Sequence, residues 1–157
     1  MFKTNIMEKV FITLFTFLLT IDFLFAQQSD HGIIYFEPDK FELSENSKTR
    51  LDSLIKKIRS KEITQIQISG HTDSDGAEDY NEILSEKRAT VVFDYLLENG
   101  IEANKLRISN YGERNPAASN GTQWEKQKNR RVELLIEYDF SIPKGFMVGF
   151  RIGRAHV

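Results

Sequence analysis

Cysteine is absent from the 157-residue chain, proline occurs three times and tryptophan once. Without cysteine there are no disulfides, no thiolate metal ligands and no cysteine nucleophile. There is also no attachment point for the thioether-linked lipid that bacterial lipoproteins carry at their mature N-terminus. Excess positive charge is missing too: 21 Lys and Arg stand against 23 Asp and Glu, a net charge of −2. Neutralising a phosphate backbone needs the opposite balance, so nucleic acid is not an expected partner. Long apolar runs are lacking as well. The one apolar stretch, Val10 to Leu24, falls short of the roughly 20 residues that span a bilayer and is interrupted by Asp22. No internal repeat, low-complexity tract or Pro/Gly/Ser linker divides the chain, which suffices for one ordinary domain and not for two.

What is present starts with Lys3 and Lys9, the apolar stretch, and Leu24-Phe25-Ala26 ahead of the polar run Gln27-Gln28-Ser29-Asp30. This is the layout of a secretory signal peptide over residues 1–26, removed after Ala26, and it places the working protein outside the cytoplasm. The alternative reading keeps the segment as an uncleaved anchor with Asp22 inside it.

Residues 32–139 read as one domain. Gly32 to Glu37 (GIIYFE) is expected as a strand closed by Pro38. Ser44, with Ser47 three positions on in place of Glu, opens a helix from about Glu45 to Arg59 that carries Leu51, Leu54, Ile55 and Ile58 at helical spacing. Ile63 to Ser69 (ITQIQIS) alternates strictly and ends at Gly70, the pattern of a half-buried strand. The loop HTDSDG leads into a second helix from about Asp79 to Glu98, stopped by Asn99-Gly100. Leu106 to Asn110 is a short strand, Tyr111 to Thr122 a turn-rich connection, and Arg131 to Tyr138 a final strand. The order strand, helix, strand, helix, strand, strand predicts an α/β two-layer sandwich, a mixed four-stranded sheet with helices on one face. In the tail, residues 140–157, Phe146, Val148, Phe150 and Ile152 share one parity, which suits either an added edge strand or an adhesive segment that reaches an outer-membrane partner.

The second helix carries an anomaly. At about 100° per residue, Asn81, Leu84, Val91, Val92 and Tyr95 all fall within about 60° of Arg88, which puts a guanidinium in the apolar stripe. Asp79, Glu82, Glu86 and Thr90 occupy the opposite side, so an ordinary solvent face was at hand. An arginine buried without a partner costs several kcal/mol, and a carboxylate is the expected one. The nearest acids lie in His71-Thr72-Asp73-Ser74-Asp75-Gly76, at the C-terminal end of a central strand, where α/β sheets tend to bind ligands. Two arrangements follow. Asp73 and Arg88 either pair as a buried ion bridge, or flank a cleft and divide a zwitterion, Asp73 taking an ammonium and Arg88 a carboxylate.

Four stretches carry a resemblance: GHTDSDG at 70–76, YNEILSEKRA at 80–89, YGERNP at 111–116 and NRRVE at 129–133. With the opening IIYFEPDK they resemble the C-terminal domain of outer-membrane protein A, shared with peptidoglycan-associated lipoproteins and flagellar stator B subunits. Several spaced motifs in one order are more specific than a single short match. The resemblance implies a non-enzymatic module without cofactor that grips the peptide stem of peptidoglycan, at the amino-acid end of meso-diaminopimelate. By the same resemblance Asp73 is the ammonium-binding aspartate and Arg88 the carboxylate-binding arginine. Thr72, Asn81 and Leu84 match neighbouring pocket positions, and Phe36 with Glu37 borders the cleft. Arg130 shares the parity of Val132, Leu134 and Ile136, which makes it a buried brace as well as a contact candidate. Glu37-Pro38 departs from the family's aspartate-phenylalanine pair, and Glu125-Lys126 from a common Gly-Arg pair, the latter expected to alter only a loop. A stator-like role for an uncleaved N-terminal helix with Asp22 is the alternative. Against it, Ala26 and Gly32 leave no room for the linker that such subunits carry.

Other chemistries fit less well. Counting from Asp73, the fifth position of a twelve-residue calcium loop is Ala77, the glycine position is Glu78 and the last is Leu84. A hydrolase would have to draw on His31, His71 or His156, and no Gly-x-Ser-x-Gly turn is present. His71 is expected as a hydrogen-bonded structural histidine, and Tyr111 and Trp124 as packing residues.

Overall fold

The computed structural model describes residues 28–139. The signal segment with Asp22, and the tail with its Phe146–Ile152 pattern, lie outside the described residues. The elements are β1 (Gln28–Tyr35), α1 (Glu45–Ile58), β2 (Glu62–Gly70), α2 (Glu78–Glu98), a 3-10 turn (Ala103–Lys105), β3 (Leu106–Asn110), α3 (Gln123–Asn129) and β4 (Arg131–Asp139). The sheet order is β1-β4-β2-β3, with β2 and β3 parallel and β4 antiparallel to both β1 and β2. This is the mixed sheet expected.

Strand alternation places the core. Ile66 and Ile68 of β2, Val132, Leu134 and Ile136 of β4 and Ile34 of β1 point to one face, where Leu51, Ile55 and Ile58 of α1 and Ala89, Val92 and Leu96 of α2 cover them. Full burial of each large aliphatic here contributes about 1.5–3 kcal/mol. Serine caps α1 as its sequence suggests, Ser47 N donating to Ser44 Oγ at 3.1 Å. The other sheet face mixes polar and apolar side chains, Gln65, Gln67, Glu133 and Glu137 beside Ile33, Tyr35 and Leu135, with Gln67 Nε2 donating to Ser109 Oγ at 2.7 Å.

Gly70 lets α2 approach the end of β2. A Cβ at that position would lie 2.0 Å from the Ser85 carbonyl oxygen, so no other residue fits without moving the helix. This contact fixes where α2 crosses the strand that feeds the HTDSDG loop.

Two expectations change. The first strand runs Gln28–Tyr35 rather than Gly32–Glu37, because backbone pairing with β4 extends through the polar Gln28 to His31 and stops before the turn at Glu37. The connection before β4 holds the helix α3, which has no apolar stripe to announce it.

Candidate functional site

A tight turn follows β1. Lys40 N donates to Glu37 O at 3.3 Å, Pro38 occupies the second position, and Asp39 takes φ 57° at the third. Proline followed by a residue with positive φ defines a type II turn. The turn presents its carbonyls to Arg88. Arg88 Nε donates to Lys40 O at 2.8 Å and NH2 to Glu37 O at 3.2 Å, while NH1 reaches back to His71 O at 3.0 Å. The Phe36 ring lies 5.4 Å from the guanidinium carbon. Three of the five N–H donors of the group carry these bonds.

Arg88 is fully buried and, among the described residues, forms no ion pair with a carboxylate. Burial is the main reason its pKa is pulled down to about 10. The charge of Asp73 opposes that fall and the charge of Arg130 adds to it. The expected ion bridge to Asp73 is not formed. Asp73 Oδ2 instead accepts from Arg130 NH1 at 2.6 Å, with both side chains under a tenth exposed. Arg130 also donates to Gln127 Oε1 at 2.5 Å and to Phe36 O at 3.4 Å. It is therefore tied to α3, to the residue that follows β1 and to the HTDSDG loop at once.

Above this buried layer lies a cavity of about 230 Å³ lined by Pro38, Asp39, Asp73, Asp75, Gly76, Tyr80 and Leu84. Three carboxylates face it, each already held by a side chain of the protein. Asp73 has Arg130, Asp75 accepts from Lys126 Nζ at 2.5 Å, and Asp39 accepts from the Tyr80 hydroxyl. The loop between β2 and α2 is held by Thr72 N to Gly112 O at 2.8 Å and His71 N to Arg131 O at 2.9 Å, and Gly76 takes φ 105°. The site is thus an acidic cup with a cationic floor.

The family model described as the OmpA family matches residues 35–130. The chain belongs to the OmpA family. Among its relatives, outer membrane protein A of Bordetella avium is 39% identical over 102 residues, 65% of this chain and 53% of that protein. The peptidoglycan-binding protein ArfA of Mycobacterium bovis is 34% identical over 105 residues, 67% of this chain and 32% of that protein. A crystal structure of the C-terminal domain of Helicobacter pylori MotB superposes with TM-score 0.62 at 25% identity, covering 73% of this chain and 87% of that one. The chain spans about a third to a half of the length of the curated relatives it matches.

Within this OmpA-family domain the expected site residues separate into layers. Asp73 and Leu84 line the cavity. Arg88, Arg130 and Phe36 form the buried layer beneath, and Glu37 contributes its carbonyl to Arg88. Asn81 is buried and donates to Glu113 Oε2 at 2.6 Å, while its Oδ1 and the Thr72 hydroxyl are buried without a hydrogen-bond partner. Arg88 lies toward one edge of the buried arc of α2, not at its middle, because Ser85, Ala89 and Leu96 are buried and Val91 and Tyr95 only half-buried.

Four further expectations are corrected. Arg88 meets three carbonyls where a carboxylate was expected, since the type II turn delivers them. His71 is buried but neither ring nitrogen has a hydrogen-bond partner. It stacks on Tyr111 at 5.2 Å, and burial together with the Arg131 charge lowers its pKa to about 4. Trp124 is 68% exposed with Lys128 Nζ 3.4 Å from its ring centre, so it does not pack in the interior. Glu125-Lys126 alters more than a loop, because it sits in α3 and sends Lys126 to the cavity rim.

Asp39, Asp75 and Tyr80 are cavity residues that sequence reasoning did not assign. Two of them carry a signal: Pro38-Asp39 is a turn pair directly after the expected strand, and Tyr80 stands four residues before Leu84 on one helix face.

Proposed function

We propose that this domain binds peptidoglycan non-covalently through the peptide stem and tethers its carrier to the cell wall in the periplasm, without catalysis. The observation that carries the reading is the buried Arg88, which among the described residues forms no ion pair with a carboxylate, beneath a cavity rimmed by Asp39, Asp73 and Asp75. A ligand that presents an ammonium and a carboxylate a few ångströms apart answers both. The amino-acid end of meso-diaminopimelate is such a group. Its ammonium goes to the carboxylates around Asp73 and its carboxylate to the two Arg88 N–H donors that carry no bond. A volume of about 230 Å³ is below the range of roughly 300–1,000 Å³ of drug-sized sites and suits a single amino-acid group. Selectivity follows because a ligand lacking either charge leaves buried groups unpaired. The relatives support the setting: one is a peptidoglycan-binding protein, and others are outer-membrane proteins.

The test is pull-down by purified sacculi. Asp73→Asn and Arg88→Lys are expected to lower retention at least about tenfold, with far-UV circular dichroism unchanged. Full retention by both variants refutes the site, and wall hydrolysis in a zymogram refutes the non-catalytic reading.

A further inference from the structure

Among the described residues, no strand pairs with the outer edge of β1. Phe36 N donates to Arg130 O at 2.9 Å, and residues 36 and 130 continue the β1–β4 register. In an antiparallel ladder this fixes the phase: Ile34, Gly32 and Asp30 turn their N–H and C=O groups toward β4, while Tyr35, Ile33 and His31 turn theirs away. Ser47 Oγ donates to Tyr35 O at 3.3 Å, which agrees with that phase and closes one outward carbonyl. Among the described residues, the N–H and C=O groups of His31 and Ile33 and the N–H of Tyr35 have no partner.

Two of the cavities lie along this edge. One of about 330 Å³ runs beside His31 to Ile34 and is walled by Arg50, Leu54 and Lys57 of α1. The next, about 200 Å³, lies beside Tyr35 to Glu37 and is lined also by Lys40, Glu42 and Leu43, so the basic lining is that of the first cavity, Arg50 and Lys57. Ile33 and Tyr35 place exposed apolar surface on the same strand, at 41% and 37%. Lys57 is half-committed to Asp30, at 2.5 Å, and Arg50 carries no ion pair among the described residues.

We propose that this edge is a docking site for an extended acidic segment of a partner protein, which adds as a fifth strand beside β1 and sets a carboxylate on Arg50. Main-chain hydrogen bonds supply the affinity in strand addition and the flanking groove the selectivity. Charge decides between occupants. A second copy of this chain would bring Arg50 and Lys57 against their own kind. The tail between residues 140 and 157 carries Lys144, Arg151 and Arg154 and no Asp or Glu, so it too matches the groove poorly. Asp30, which points to the helix side at the start of β1 and is held by Lys57 and Lys61, acts as the kind of inward charge that blocks indiscriminate edge pairing. Pairing is thereby confined to His31–Tyr35.

The test uses the full chain and a capped ten-residue peptide alternating valine or threonine with glutamate, alongside its lysine counterpart. Amide exchange read by NMR should slow at least tenfold at His31, Ile33 and Tyr35 on adding the glutamate peptide, and stay unchanged at Gly32 and Ile34, which already bond to β4. The lysine peptide should bind about three- to tenfold more weakly at low salt, as expected for one or two exposed charge pairs. Arg50→Glu should reverse that preference. Ile33→Pro removes only an outward donor, so it should abolish peptide binding and leave sacculus pull-down intact. Slowed exchange at the even-numbered residues, equal binding of both peptides, or protection of His31 and Ile33 before any peptide is added would each overturn the proposal. The last outcome would mean that this chain fills its own edge.

Discussion

Arg130, not Arg88, is the partner of Asp73, and a double-mutant cycle puts that assignment at risk. The pair is 2.6 Å apart with side chains 5% and 9% exposed. Removing one member of such a pair strands a buried charge and costs about 3–5 kcal/mol. Arg130→Met leaves the Asp73 carboxylate only the Asp75 backbone N–H, at 3.3 Å, so the upper half of that range is expected, about 4 kcal/mol. Asp73→Asn keeps an oxygen acceptor in place, and Arg130 retains Gln127 Oε1 and Phe36 O, so about 2 kcal/mol is expected. The double variant should cost less than the two together by about 2–3 kcal/mol, the coupling of groups in direct contact. For Asp73 with Arg88, which share no contact within 4 Å, the coupling of Asp73→Asn with Arg88→Lys should stay below about 1 kcal/mol. Urea unfolding at pH 7, with midpoints compared at constant slope, measures both cycles. A larger coupling to Arg88 than to Arg130 would mean that the protein neutralises Arg88 with its own acid, and the case for an anionic guest would fall with it.

Two further expectations concern the surroundings of the site. His71 titrates near 6.5 when unfolded and about 4 when folded. Between those values the unfolded chain takes up a proton that the folded chain refuses, so this contribution is complete above pH 6.5 and lost as pH falls. At pH 5 the loss is about 2 kcal/mol, and His71→Phe should remove that share of the drop in urea midpoint between pH 7 and pH 5. An unchanged drop would show that the buried ring is not what resists protonation. Lys126→Met frees Asp75 of its partner; exposure of the pair at 19% and 61% keeps the stability change below about 1 kcal/mol. Affinity for an ammonium-bearing stem peptide should rise two- to fivefold by calorimetry, and a fall would make Lys126 a ligand contact.

The legible parts of the fold were those where burial writes a period into the chain. Ile63 to Ser69 alternates because one face of β2 meets α1 and α2, and Leu51, Ile55 and Ile58 recur at helical spacing for the same reason. Where pairing is by backbone alone the pattern is silent. Gln28 to His31 join β4 with polar side chains, and Asp30 is satisfied by two lysines, so nothing apolar marks the strand's true start. Helix α3 buries only Asn129; its one available sign was Thr122 with Glu125 three residues on, a capping box in which Glu125 N donates to Thr122 Oγ1 at 3.2 Å.

Arg88 shows a subtler limit. That a guanidinium belonged to the inner face of α2 was readable from its angle among Asn81, Leu84 and Val92, but the type of acceptor was not. Carbonyl oxygens carry no letter in a sequence, and only the type II turn at Pro38-Asp39, folded over the helix, makes Glu37 and Lys40 acceptors at all. The difference alters the electrostatics. A carboxylate partner would cancel the charge of Arg88, whereas neutral dipoles stabilise the cation and leave its net charge in place. With Asp73 already paired to Arg130, Arg88 forms no ion pair of its own among the described residues and feels the charges of Asp73 and Asp39 only from a distance. Pairing it from outside, by an anion that enters with its own ammonium to satisfy the acidic rim, is the arrangement that neutralises both parts of the site together.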